Sequence, residues 1–76
     1  MTDEERLRWF EAQAEDAYGR MYDATNASDA TARYSDAKEA FYSAIESARR
    51  LGQAEVTARL KARLAHVKAV FRSQFG

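Results

Sequence analysis

The 76-residue chain has no cysteine and no proline, only three glycines and a single histidine. Without cysteine no disulfide can form, and one histidine supplies too few ligands for a structural zinc site. Because proline and glycine interrupt helices, their scarcity in an alanine-rich chain favours helix almost throughout. A chain of this length has a small core, so its helices must pack well or a second copy must add buried surface.

Long hydrophobic runs are also missing, since no apolar stretch approaches the roughly 18 residues of a membrane span. The acidic, polar start MTDEERLRWF is unlike a secretory signal, so we expect a cytoplasmic protein. There is no glycine-rich phosphate loop, and His66 has no catalytic partners in a suggestive order. We therefore predict a protein that is not an enzyme, with no cofactor, metal or small-molecule substrate. The excess of arginine over lysine, together with abundant alanine, favours a bacterial source.

Two turns divide the chain. The run TNASDAT at residues 25–31 is the only cluster of poor helix formers and predicts the first turn. Asn26, Ser28 and Ser35 are all candidate N-caps for the next helix, and Ser28 is the one that we predict. Gly52 suits the left-handed position that ends many helices, so it predicts a short second turn.

The three segments between these signals have apolar residues at helical spacing. Thr2 and Glu5 fit a capping box at the start of the first segment. The third has the clearest stripe, at steps of four, four, three, four and four residues from Val56 to Phe75. We predict an all-α, antiparallel three-helix bundle that forms one domain over residues 1–76. The predicted helices cover residues 3–24, 28–51 and 53–75. The predicted core is Leu7, Phe10, Tyr18, Met21, Tyr34, Phe41, Ile45, Leu51, Val56, Leu60, Leu64, Val67 and Phe71.

The net charge is zero, but it is unevenly distributed. Residues 1–46 contain eleven acids and five bases, a net charge of −6, whereas residues 47–76 contain one acid and seven bases, a net charge of +6. One interpretation is that an acidic first helix pairs with a basic third helix inside the bundle. The other is that one of these surfaces binds a charged partner. The bases of the third helix form two flanks, one with Arg59, Arg63 and His66 and the other with Lys61, Lys68 and Arg72.

A basic helix raises the alternative of nucleic-acid binding. These bases, however, lie on opposite flanks with alanine between them, and the acidic half would repel phosphates. Membrane-surface binding would require an exposed apolar face on the third helix, and the core already uses that face. We therefore rank a protein partner or a second copy above nucleic acid, and we expect no membrane partner.

Trp9 is the outlier of the first helix, because it lies about 140° from the centre of the apolar face. It is either an anchor for a partner or a side chain that folds over the end of the bundle near Phe75. The third helix has an alanine stripe opposite its core face (Ala54, Ala58, Ala62, Ala65 and Ala69). Self-association through this stripe, with Trp9 and Tyr42 nearby, is one expectation; the other is that alanine simply fills an exposed helix face. The candidate partner-binding residues are Trp9, Arg59, Arg63, His66, Lys68 and Arg72.

The stretch YSDAKEAFYSAIESA at residues 34–48 resembles the second helix of a tetratricopeptide repeat. Tyr34, Ala37, Phe41 and Ala44 stand where that family has tyrosine, alanine, a large aromatic residue and alanine. The number and order of the helices also resemble the microtubule-interacting-and-trafficking domain, and KARLAHVKAVF is similar to that family's third helix. Members of that family bind helical peptides in grooves between helices. Both resemblances imply a non-enzymatic peptide-binding or scaffolding role.

Overall fold

The computed structural model describes residues 1–75, which form an all-α bundle of three helices. The helices are α1 (Asp3–Tyr22), α2 (Ala27–Arg50) and α3 (Ala54–Phe75). α1 packs on α2, and α2 packs on α3. Because both connections are short, neighbouring helices are antiparallel and α1 runs parallel to α3. The predicted fold class is therefore confirmed. Within the described residues, none of the three helices is both long and apolar enough to cross a bilayer.

α1 begins with the predicted capping box. The Thr2 hydroxyl accepts a hydrogen bond from the Glu5 backbone N–H at 3.1 Å, and the Glu5 carboxylate accepts one from the Thr2 N–H at 3.2 Å. These hydrogen bonds hold the pKa of Glu5 below its usual value. At its other end α1 stops at Tyr22, two residues before the predicted end. The Ala24 N–H bonds to the Met21 carbonyl there, which tightens the chain into a turn.

The predicted N-cap of α2 is wrong. Asn26, not Ser28, has the extended backbone of a cap, and its side-chain oxygen accepts a hydrogen bond from the Asp29 N–H at 2.7 Å. Asparagine is at least as good a cap as serine, and this choice places Asp29 at the positive end of the helix dipole. The helix therefore starts at Ala27, and Ser28 lies inside it. The hydroxyl of Thr31 is satisfied within the helix, since it donates to the Ala27 carbonyl at 2.8 Å.

The turn between α2 and α3 is the one that the sequence predicts. Gly52 has a positive φ of 70°, which side chains other than glycine rarely adopt. The Gln53 N–H bonds to the Ala48 carbonyl and the Gly52 N–H to the Arg49 carbonyl, both at 3.0 Å. This pattern is a Schellman motif. The motif takes up the last residue predicted for α2 and the first residue predicted for α3. α2 therefore ends at Arg50, one residue before its predicted end, and α3 begins at Ala54, one residue after its predicted start.

The core contains the predicted residues, all of which are buried or packed against buried neighbours. α1 and α2 also bury six alanines, whereas every alanine of α3 is exposed. Small side chains allow α1 and α2 to approach closely, and α3 is held by the larger side chains of Leu60, Leu64 and Val67. The sequence did not indicate Ser47, which is 4% exposed and hence part of the core.

Aromatic side chains close the end of the bundle where α3 finishes. The rings of Tyr34 and Phe71 stack with centroids 4.0 Å apart, and Phe75 lies 5.7 Å from Phe71. Trp9 is near the start of α1, and because α1 runs parallel to α3, it is level with the start of α3. The expectation that Trp9 folds over the bundle near Phe75 is therefore wrong.

Candidate partner-binding surfaces

The junction between α1 and α3 holds two arginine–glutamate pairs. Arg59 donates to Glu11 from both terminal nitrogens, at 2.7 and 3.2 Å. Arg63 donates to Glu15 from Nη2 at 2.8 Å and from Nε at 2.9 Å. Bidentate pairs of this kind are the stronger form of side-chain ion pair, and their hydrogen bonds raise the pKa of both arginines. This geometry supports the interpretation that the acidic and basic helices pair inside the bundle.

Tyr18 adds aromatic contacts to the same junction. The Arg63 guanidinium lies 4.9 Å from the centre of its ring, and the His66 ring meets it edge-on at 6.2 Å. Three of the candidate partner-binding residues, Arg59, Arg63 and His66, are thus grouped along one side of α3. Each of them contacts α1, so this flank is engaged within the bundle.

The other flank of α3 faces α2 and carries bases that lack a carboxylate partner. Lys68 Nζ donates to the Tyr42 hydroxyl of α2 at 3.1 Å and lies 5.5 Å from its ring centre. Lys38 of α2 lies 4.5 Å from the ring centre of Tyr34. Arg72 is exposed. Among residues 1–75, no carboxylate forms an ion pair with any of these three bases.

The contact between Lys68 and Tyr42 predicts an unusual titration. The hydrogen bond and positive charge of Lys68 lower the pKa of the Tyr42 phenol, with a smaller effect from Lys38. We expect Lys68→Met to raise the Tyr42 pKa towards the usual tyrosine value of about 10. NMR titration of ring-labelled tyrosine would measure this. Lys38→Met is the matched control and should raise the pKa less. A Tyr42 pKa that is the same with and without Lys68 would contradict the contact.

A groove runs between α1 and α2 and encloses about 440 Å³. The small residues Ala17 of α1 and Ala40 and Ser43 of α2 line it, together with the aromatic residues Trp9 and Phe10 of α1. Phe10 is half-buried, whereas Trp9 is 54% exposed. All residues that line this groove come from α1 and α2. The groove is therefore open on the face of the α1/α2 pair that α3 does not cover.

Charged residues surround the groove. Arg20 pairs with Asp16 at 3.0 Å on the α1 side, and Arg33 lies 3.7 Å from Asp36 on the α2 side. Glu39 also lines the groove and forms no ion pair within residues 1–75. The rim thus has three carboxylates and two guanidinium groups, and both guanidinium groups are already paired.

The structure does not bring the candidate partner-binding residues together on one surface. Trp9 lies about 160° around α1 from Glu11, which faces α3, because successive helical residues are about 100° apart. The alanine stripe of α3 is exposed, which both interpretations of it require, but Trp9 is on the opposite side of the molecule. The sequence reasoning also missed the α2 wall of the groove. Its signal was the small and polar run at Asp36, Ala40 and Ser43, which lies beside the core stripe at helical spacing.

Within residues 1–75, the acidic side chains and His66 form no group of three that could hold a metal ion. The surfaces with distinctive chemistry are therefore the Trp9 groove and the basic flank of α3.

The tetratricopeptide-like spacing at residues 34–48 lies on the helix that packs against both neighbours. Comparison with protein families, curated proteins and solved structures finds no match to this chain, so both family resemblances stay predictions.

Proposed function

We propose that this chain is a small, non-enzymatic interaction module that holds an amphipathic helix of a partner in the groove between α1 and α2. The observation that carries this proposal is Trp9, which is 54% exposed beside an open groove. Tryptophan is strongly enriched among the residues that dominate binding energy at interfaces. An indole ring beside a groove offers a partner a large apolar contact while its N–H stays free to hydrogen-bond.

The shape of the groove suits a helix. Its lining includes the small residues Ala17, Ala40 and Ser43, which let the backbone of another helix come close. Trp9 and Phe10 add large apolar side chains to this lining. Partner helices that lie in grooves of this kind bring an apolar stripe at helical spacing, and flanking charges set their register. The paired charges on the rim would serve that second purpose.

Site-specific photocrosslinking in the source organism would test the proposal. A photoreactive residue replaces Gln13, which is exposed and lines the groove. The control replaces Arg8, which is exposed, does not line the groove and lies about 140° around α1 from Gln13. We expect a discrete crosslinked partner from position 13 that is missing from position 8 and is lost when Trp9→Glu is added. The same products from both positions would refute a groove-specific partner.

Nucleic-acid binding through α3 is the second candidate. It is favoured by the bases Lys61, Lys68 and Arg72, which have no carboxylate partner in residues 1–75 and belong to one flank. It is disfavoured by the net charge of zero and by the pairing of Arg59 and Arg63. Fluorescence anisotropy with DNA and RNA at low salt tests it. Binding should weaken steeply with salt and with Lys68→Ala plus Arg72→Ala; no binding at low salt would remove this candidate.

A further inference from the structure

We infer that the helix held in the Trp9 groove is α3 of a second copy of this chain, so that copies associate head to tail. This inference rests on the proposed function and names its partner. It combines three properties of the described residues. These are the open groove on one face, the exposed outer face of α3 on the opposite face, and the opposite charges of the two.

The outer face of α3 has the shape that the groove requires. Ala58, Ala62 and Ala65 are exposed on the side of α3 that points away from its core residues. Alanine methyl groups occupy little space, so two helix axes can approach to the near end of the usual range of about 8–10 Å. Against such a face, the indole of Trp9 would pack flat instead of being held away by longer side chains.

The helices that form the two surfaces carry opposite net charges. Residues 1–53, which contain α1 and α2, have eleven acids and seven bases, a net charge of −4. Residues 54–75 have one acid and five bases, a net charge of +4. The internal pairs of Arg59 with Glu11 and Arg63 with Glu15 cancel two charges on each side. The α1/α2 pair thus keeps a net charge of −2 and α3 keeps +2, which a neighbouring copy would neutralise.

Individual residues of opposite charge also lie at the two surfaces themselves. Lys61 and Arg72 are exposed beside the alanine face of α3, and neither has an ion-pair partner in residues 1–75. On the groove rim, Glu39 is the carboxylate without a cation, and Asp16 and Asp36 lie along the same groove. Bases on the incoming helix would therefore meet a surplus of carboxylates. Salt screens this attraction between the bases and the carboxylates, because the Debye length falls to about 3 Å at 1 M.

The arrangement of the two surfaces determines the kind of assembly. They are different surfaces on opposite faces, so the contact is heterologous, and each added copy leaves one free groove and one free α3 face. Contact through a single helix is at the low end of interface sizes, below about 1,200 Å². We therefore expect weak association that grows with concentration and does not stop at two chains.

Analytical ultracentrifugation over protein concentrations from about 10 μM to about 1 mM, a range that covers weak association, measures this directly. The average mass should start near the chain mass of 8.6 kDa, pass twice that value without levelling off, and fall when the salt is raised. A constant mass of one chain at every concentration, or a plateau at two chains, overturns the inference.

Two blocking variants test whether the contact joins two different surfaces, the groove of one copy and the α3 face of the next. Trp9→Glu blocks the groove and leaves the α3 face intact, whereas Ala62→Glu blocks the α3 face and leaves the groove intact. Each variant alone should remain a single chain. An equimolar mixture should form complexes of two chains and no larger, because only one productive contact remains. A symmetric interface cannot give this result, so failure of the mixture to associate overturns the inference.

Matched controls separate a blocked surface from a damaged fold. Tyr22→Glu replaces an aromatic residue of similar exposure on the same helix, and Ala27→Glu replaces an exposed alanine at the start of α2; neither residue lines the groove or belongs to α3. Both should associate like the wild type, and all four variants should keep the wild-type circular dichroism. If the wild type stays a single chain while position 13 crosslinks to a different protein, the inference fails and the proposed function stands. If position 13 also shows no specific partner, both fail.

Discussion

Replacing Phe41 with alanine is expected to remove most of the stability of the fold. Phe41 is completely buried near the middle of α2 and is the largest such side chain in the described residues. Replacing a buried phenylalanine with alanine typically costs about 3–5 kcal/mol, because the transfer energy of the ring is lost and a cavity remains. Small domains have total stabilities at the low end of about 5–15 kcal/mol, so this loss is comparable with the whole stability.

Urea denaturation followed by circular dichroism would measure the effect of Phe41→Ala. The control is Tyr42→Ala at the next position, where the side chain is 53% exposed and the loss should be below about 1 kcal/mol. The two variants remove aromatic rings from the same turn of α2, so helix propensity is matched. Equal losses from the two variants would show that the core does not depend on Phe41.

The second large effect is expected from Ala44→Leu. Ala44 is completely buried in α2, where small side chains let α1 and α2 approach closely. Leucine has nearly the helix propensity of alanine, so the change acts through packing alone. Forcing a larger side chain into a packed core costs about 1–3 kcal/mol, since neighbouring side chains and backbone must move. We expect the urea midpoint to fall and the two helices to separate, which would also distort the Trp9 groove.

Ala32→Leu is the matched control for Ala44→Leu, because it makes the same change at an exposed position of the same helix. Its stability should stay within about 0.5 kcal/mol of the wild type. Intrinsic fluorescence of Trp9, the single tryptophan, would report the groove in both variants. If Ala44→Leu is as stable as the control, the α1/α2 contact has more room than its buried alanines indicate.

Much of the fold could be predicted from the sequence because its signals are local. The capping box at Thr2 and the left-handed turn at Gly52 each depend on a few neighbouring residues, and both are present as predicted. The error at the start of α2 arose where two good caps, Asn26 and Ser28, stand two residues apart, and local preference cannot separate them. The core stripes were predicted because helical spacing fixes which residues share a face.

The surfaces were less predictable because they depend on how the helices are rotated against one another. The two basic flanks of α3 look equivalent in sequence, and nothing local indicates that Arg59 and Arg63 face α1 while Lys68 faces α2. The α2 wall of the Trp9 groove was missed for the same reason, because it depends on how α1 and α2 are rotated against one another. The separation of Trp9 from Phe75, by contrast, was predictable from the sequence. Two short turns place the start of α1 and the end of α3 at opposite ends of the bundle.

The short turn at Gly52 has a consequence for how the chain folds while it is being synthesised. Glu11 and Arg59 are 48 residues apart in the chain, so α1 and α2 leave the ribosome before α3 can close on them. During that interval the α1/α2 pair exposes both faces, at a synthesis rate of about 5–20 residues per second. Once α3 emerges, the tight turn tethers it beside its own α2, which gives a local concentration that a separate copy cannot match. The turn therefore directs each newly made α3 onto its own chain and leaves the Trp9 groove free for a partner.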